Sequence, residues 1–223
     1  MTGREEHVPS LAEEARTALA AATAATLRTR GCPHARTMTV VPIAAEPDGS
    51  PVLWLEEESP VARLLEGGRV VSVQVGGPEP FRVLELTGPL EQLASERPGH
   101  RQYRMRLLAV RLAGPTVRPV AVTEFAAAEP DPLRACAAAT LRHLELAHAG
   151  ELLACVRAHG QADVLAVVPR RLDRYGITLA ALCLDGVRSL RLHFPHGPVD
   201  SVEQIGVGLR AALTCRCRPD THA

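Results

Sequence analysis

Polar and apolar positions change their spacing twice along this chain. "SLAEEARTALAAATAATLRTR" (residues 10–30) repeats its small apolar residues at helical intervals. It opens with Ser10 and Glu13 in capping-box spacing, which predicts a helix running to about Arg28. The period then drops toward two. "RTMTVVPIAA" and "PVLWLEE" read as strands joined across "EPDGS", whose Asp48-Gly49 pair is a hairpin-turn signal. A short helix follows over Ser59 to Leu65, then the strands "RVVSVQV" and "FRVLELTGPL" on either side of "GGPEP". "YRMRLLAVRL" alternates Arg104, Arg106 and Arg111 with apolar residues, with a slip near Leu107, and "VRPVAV" is placed to close the sheet. Five or six short strands with little helix between them predict a small barrel.

The spacing lengthens again after "EFAAAEPDPL", a linker by composition. Leu133 to His159 reads as one helix, followed by the strands "ADVLAVV", "GITLAALCL" and "VRSLRLHF". Asp185-Gly186 turns the last pair, and Ser201 with Gln204 caps a final helix. The expected organisation is a barrel domain over 10–125, a linker over 126–132, an αβββα domain over 133–214 and a tail over 215–223.

Composition removes several functions. The chain has 223 residues, a formal net charge of zero and 25 basic residues, every one of them arginine. Without lysine there is no Schiff base and no Walker P-loop, and without asparagine no N-glycosylation site. Zero net charge gives no bulk argument for nucleic acid or a membrane surface as partner. No apolar run suits a signal peptide or a membrane span, and six irregularly spaced cysteines need no staple, so a cytoplasmic protein with reduced thiols is expected.

Short motifs remove more. Glu145-x-x-His148 is half of a di-iron motif with no second copy. "GVGLRA" falls inside a helix rather than opening one after a strand. Cys215-x-Cys217 with His222 sits in a terminal tail, and no serine occupies a nucleophile elbow.

The order "TLRT…PHARTMTVVPIA…PDGSPVLWL…SPVARLL…RVVSVQV" resembles the FMN-binding split barrel of the pyridoxamine-phosphate-oxidase type. "DPLRACAAATLRHLELAHAGELLACVRAHG" and "LDRYGITLAALCLDG" resemble the domain of unknown function that follows such barrels. The two together resemble the HugZ-like haem-utilisation group. The resemblance implies an α+β fold, a split β-barrel followed by an αβββα domain, usually as a homodimer. It implies haem binding, extending to oxidative haem degradation if the family's chemistry is inherited. A non-enzymatic binding or regulatory module of the same fold is the alternative, and an FMN-dependent oxidoreductase ranks third. Arg36 and Arg63 stand where split barrels place cations on the FMN phosphate. The family's helix reads His-Met-Asn-x-Asp-His; here "HLELAH" keeps His143 and His148 alone.

Helical geometry, at about 100° per residue, sets His148 and His159 on one apolar stripe with Leu144, Leu152 and Cys155, roughly 16 Å apart along the axis. It sets His143 about 140° from His148, among Ala147, Gly150 and Ala154. On this reading no two of the three share a metal ion, and they serve as packing or hydrogen-bonded histidines. A haem iron needs one proximal nitrogen, so His148 remains a candidate ligand. A second cluster, "RLHFPHG", places Arg191 and His193 on the strand face opposite Leu190, Leu192 and Phe194. An arginine beside a histidine suits a haem propionate beside its iron, and His193 is the other candidate ligand. No catalytic acid or base is assigned, since haem itself carries the oxygen chemistry.

Overall fold

A computed structural model describes residues 7–29, 38–65, 69–76, 82–95 and 97–214. The chain divides into two compact units, Ser10–Pro130 and a second made of Asp131–Ala223 with the N-terminal residues up to Pro9.

The first unit is a closed antiparallel barrel with a helix at each end of its sequence. Helix α1 (Leu11–Ala21) starts as its sequence requires: the Ser10 hydroxyl accepts from the Glu13 N–H while the Glu13 carboxylate accepts from the Ser10 N–H. It ends seven residues earlier than expected. Ala24–Thr29 is strand β1, paired on both edges, with β2 (Met38–Ala45) and β4 (Val70–Gly76). Alanine's helix preference is weak against two ladders of backbone hydrogen bonds and the complete burial of Leu27.

Strand β2 returns through the Asp48-Gly49 turn to β3 (Pro51–Glu56). Gly49, at φ +85°, lies against the Arg16 guanidinium, where a Cβ would collide. Arg16 donates to the carbonyls of Pro47 and Ala128 and lies 5.4 Å from the Phe125 ring centre. It thereby ties α1 to the hairpin turn and to α3 (Val122–Ala127). The expected linker therefore begins within a packed helix whose Phe125 is fully buried. The short helix α2 (Pro60–Leu65) forms where the pattern places it.

Strand β5 (Val83–Leu93) is the hub. Its first half pairs with β4 and β7 (Ala109–Ala113), its second with β6 (His100–Met105). The slip near Leu107 is a break between β6 and β7. Arg106 N–H donates to Pro89 and Leu108 N–H to Thr87 there, and a Cβ on Gly88 would sit 1.9 Å from the Arg106 carbonyl oxygen. The barrel order is β4-β1-β2-β3-β6-β5, closed by β4–β5. "VRPVAV" does not close it: β8 (Val117–Val120) pairs with β7 alone and lies at the sheet edge. Alternation along the strands sends Leu27, Leu53, Leu84 and Leu86 inward, so a mainly aliphatic core fills the unit, with Tyr103 and Phe125 as its aromatics.

The second unit begins with Asp131, whose side chain accepts from the Leu133 N–H over a single 3-10 turn, Pro132–Ala135. The one helix expected over Leu133–His159 is three pieces: that turn, α4 (Ala137–Ala147) and α5 (Ala149–Ala158). His148, at φ −128° and ψ 16°, ends one helix and starts the next. Strands β9 (Ala166–Asp173), β10 (Gly176–Cys183) and β11 (Gly186–His193) form an antiparallel sheet in the order β11-β10-β9. Helices α4, α5 and α6 (Val202–Thr214) pack their Leu144, Leu152, Val156, Ile205 and Leu209 on one face of it. At the start of α6 the Gln204 side chain accepts from the Asp200 N–H, one residue before the expected Ser201 cap. Among the described residues no helix is long and apolar enough to cross a membrane.

Candidate functional site

The C-terminal unit brings titratable side chains together at three places. The first is the helix break. On a straight helix residues five apart point away from one another, at about 140°. The departure at His148 removes that separation: the Nε2 atoms of His143 and His148 lie 3.3 Å apart, with ring centres at 5.0 Å and planes at 71°. His148 Nδ1 lies 3.0 Å from a carboxylate oxygen of Glu151. The expectation that these histidines point apart is therefore corrected, and so is the close packing expected around His143, which is exposed. His148 is half-buried at the rim of the stripe formed by Leu144 and Leu152. His159 bonds within its own helix, its Nδ1 at 2.8 Å from the Cys155 carbonyl oxygen and 3.5 Å from the Cys155 Sγ. The signal for the break was present in "AHAG": alanines either side of a histidine, then Gly150, a poor helix former.

The second place is the turn "LDRYG" and the strand beside it. Register sets Leu172, Ile177 and Leu192 on the helix-covered face, and Arg171, Asp173, Thr178, Arg191 and His193 on the other. Arg191 does lie with His193 on that outer face, where it is half-buried and already paired. Its guanidinium grips Asp173 with two hydrogen bonds, at 2.8 and 2.5 Å, and also donates to Thr178 at 3.1 Å. Asp173 is only 3% exposed, accepts from the Tyr175 N–H and has Arg171 Nε at 3.3 Å. A carboxylate buried this deeply needs such partners.

Asp131 braces the same turn by accepting from the Arg174 N–H, and burial pushes its carboxyl above the ordinary range, against those backbone donors and Arg174. Arg174 in turn pairs with Asp200. The acidic residues of this network escaped sequence reasoning. The available signal was an aspartate flanked by core positions in "RLDRYG" and one standing before a proline in "PDPL".

His193 differs from the other histidines described. It is half-buried, and neither ring nitrogen has a hydrogen-bond partner among the described residues. Its partner across the ladder is Gly176, which carries no side chain because a Cβ there would sit 2.2 Å from the Leu192 carbonyl oxygen. The ring therefore stands over bare backbone on an edge strand. Further along the same face Leu182 and Val187 are exposed, at 47% and 67%, and Leu184 at the hairpin tip at 93%.

Of the two cations expected for a flavin phosphate, Arg36 lies outside the described residues, and Arg63 on α2 donates to the Glu58 carbonyl. A further group, Asp163, Cys183 and Asp185, has its ligand atoms within 4.8 Å of one another. Arg188 already sits 2.9 Å from both carboxylates and pairs with each.

The fold is that of an α+β protein, with a closed six-stranded antiparallel barrel in one unit and a helix-flanked three-stranded sheet in the other. No protein-family profile and no curated protein matches the sequence. Among solved structures, a haem-binding protein from Mycobacterium smegmatis shares the fold, at 24% identity and a TM-score of 0.73, over 96% of this chain and all of that one. A general stress FMN/FAD binding protein from Xanthomonas citri matches at 14% identity and a TM-score of 0.40, over 50% of this chain and 93% of its own. A protein of unknown function from Agrobacterium tumefaciens matches at 21% identity and a TM-score of 0.42, over 88% and 92%.

Proposed function

We propose that this chain binds haem on the outer face of its C-terminal sheet, with His193 as the iron ligand. The observation that carries the reading is the unpaired, half-buried imidazole opposite Gly176, on a face whose far end is apolar. An iron porphyrin asks for those two things, one available nitrogen and apolar surface. The likeness in fold to the mycobacterial haem-binding protein supports the same ligand class.

The residues divide the work differently from the sequence expectation. His193 supplies a nitrogen, and the Asp173–Arg191 pair beside it fixes the strand that carries it. Arg191 is committed to Asp173, so it does not meet a propionate. Arg170 is skipped by the ladder at the β9 bulge; it is exposed and unpaired among the described residues, and suits that role. Bound haem would supply redox chemistry; the chain's own part is to hold and orient it.

Titrating the purified protein with hemin tests the reading. A saturable shift of the Soret band is expected, lost in His193→Ala and kept in His148→Ala. A wild-type protein that leaves the hemin spectrum unchanged, or a shift that survives His193→Ala, overturns it.

A further inference from the structure

The contact between His143 and His148 has a second meaning independent of haem. Zinc holds histidine nitrogens at about 2.0–2.1 Å, and a tetrahedral angle between two such bonds separates the nitrogens by roughly 3.3–3.4 Å. The two Nε2 atoms lie 3.3 Å apart. Glu151 decides which lone pairs are available. A carboxylate only accepts, so His148 Nδ1 carries the proton toward it, and in the neutral ring His148 Nε2 then presents a bare lone pair toward His143. When His143 adopts the same tautomer, two lone pairs converge on one point at the protein surface.

We propose that His143 and His148 chelate a divalent transition-metal ion, zinc by geometry, with Glu151 as the carboxylate that orients His148 from behind. A histidine ligand backed by a carboxylate on its other nitrogen is the usual arrangement at zinc sites. The site is built by the helix break, since an unbroken helix would hold the two rings apart. Among the described residues no third His, Cys, Asp or Glu atom joins the two nitrogens to make a closed cage. Water or an external ligand therefore completes the shell, as at zinc sites that keep an open position.

Calorimetric titration of metal-free, full-length protein with zinc is the test, with cobalt as a spectroscopic stand-in. One zinc per chain is expected at the pair. His143→Ala removes that binding; the residue is exposed, so the variant folds. His148→Ala removes it as well, Glu151→Gln weakens it by about 10- to 100-fold, and His193→Ala leaves it unchanged. Bound cobalt shows the intense visible bands of a tetrahedral ion, lost in His143→Ala. Absence of saturable binding overturns the proposal, and so does binding that survives both histidine variants and is held by cysteine instead. Because His193 and hemin play no part in it, its failure leaves the haem reading standing, and the reverse.

Discussion

Each unit holds an arginine in a polar network, Arg16 buried in one and Arg191 half-buried against the buried Asp173 in the other, and the two handle the charge differently. In the barrel unit, Arg16 is 5% exposed and meets no carboxylate within hydrogen-bonding reach among the described residues; carbonyls of Pro47 and Ala128 and the face of Phe125 take its charge. Burial lowers its pKa, opposed by the field of Asp48. In the C-terminal unit Arg191 meets Asp173 in a two-point grip. Carbonyls disperse charge among neutral groups, so losing the cation strands nothing but acceptors. A carboxylate partner concentrates it, and losing either member strands an ion.

The sharpest way to break that contrast is Asp173→Ala. It leaves Arg191 and Arg171 side by side without their shared counter-charge, and a loss of about 3–5 kcal/mol is expected in urea unfolding. The double variant Asp173→Ala/Arg191→Met should recover much of that loss, because the cation that Asp173 held at two points leaves with it. A double variant as unstable as the single one would show that the pair acts through packing rather than charge. Arg16→Met is the smaller test, at about 1–3 kcal/mol, since it orphans two carbonyls while keeping an apolar stem against Phe125. A loss as large as that of Asp173→Ala would erase the distinction.

The contrast also explains which features the sequence made legible. Barrel strands are written in nearest-neighbour alternation, and the Asp48-Gly49 turn in local chemistry, so the strands and their first hairpin could be read directly. Strand β1 could not, because Ala24-Ala25-Thr26 looks helical until two partners from Met38–Ala45 and Val70–Gly76 claim its edges. Nor could barrel closure by β4–β5, which depends on pairing across a loop. The C-terminal elements were legible as a three-stranded unit with flanking helices. The side-chain chemistry was not: Asp173 meets Arg191 through register 18 residues apart, and His143 meets His148 only because one backbone conformation interrupts a helix. Periodicity assigns faces; it assumes a straight axis, and the site lies where that assumption fails.

The gentlest test sets one aspartate of each unit against the other by pH. Asp48 in the barrel turn is held below the ordinary carboxylate value, first by the Ser50 N–H, against some burial, and further by the Ser50 hydroxyl, Arg104 and Arg16. Its folded form prefers the charge, so it adds stability above the ordinary value, and that stability is lost as the pH falls through the lowered one. Asp131 is the reverse. Burial raises its pKa over the opposing Arg174 and Leu133 N–H groups, so the folded unit keeps a proton that the unfolded chain has released. Its ionisation costs nothing below the ordinary value and costs stability as the pH rises through the raised one. Melting temperatures recorded between about pH 3 and pH 7 should therefore respond in opposite senses. Asp48→Asn softens the loss on acidification, and Asp131→Asn removes a component that improves on acidification. Parallel pH profiles for the two variants would mean that burial does not govern Asp131. Its carboxylate would then be held, like that of Asp48, chiefly by the N–H groups that point at it.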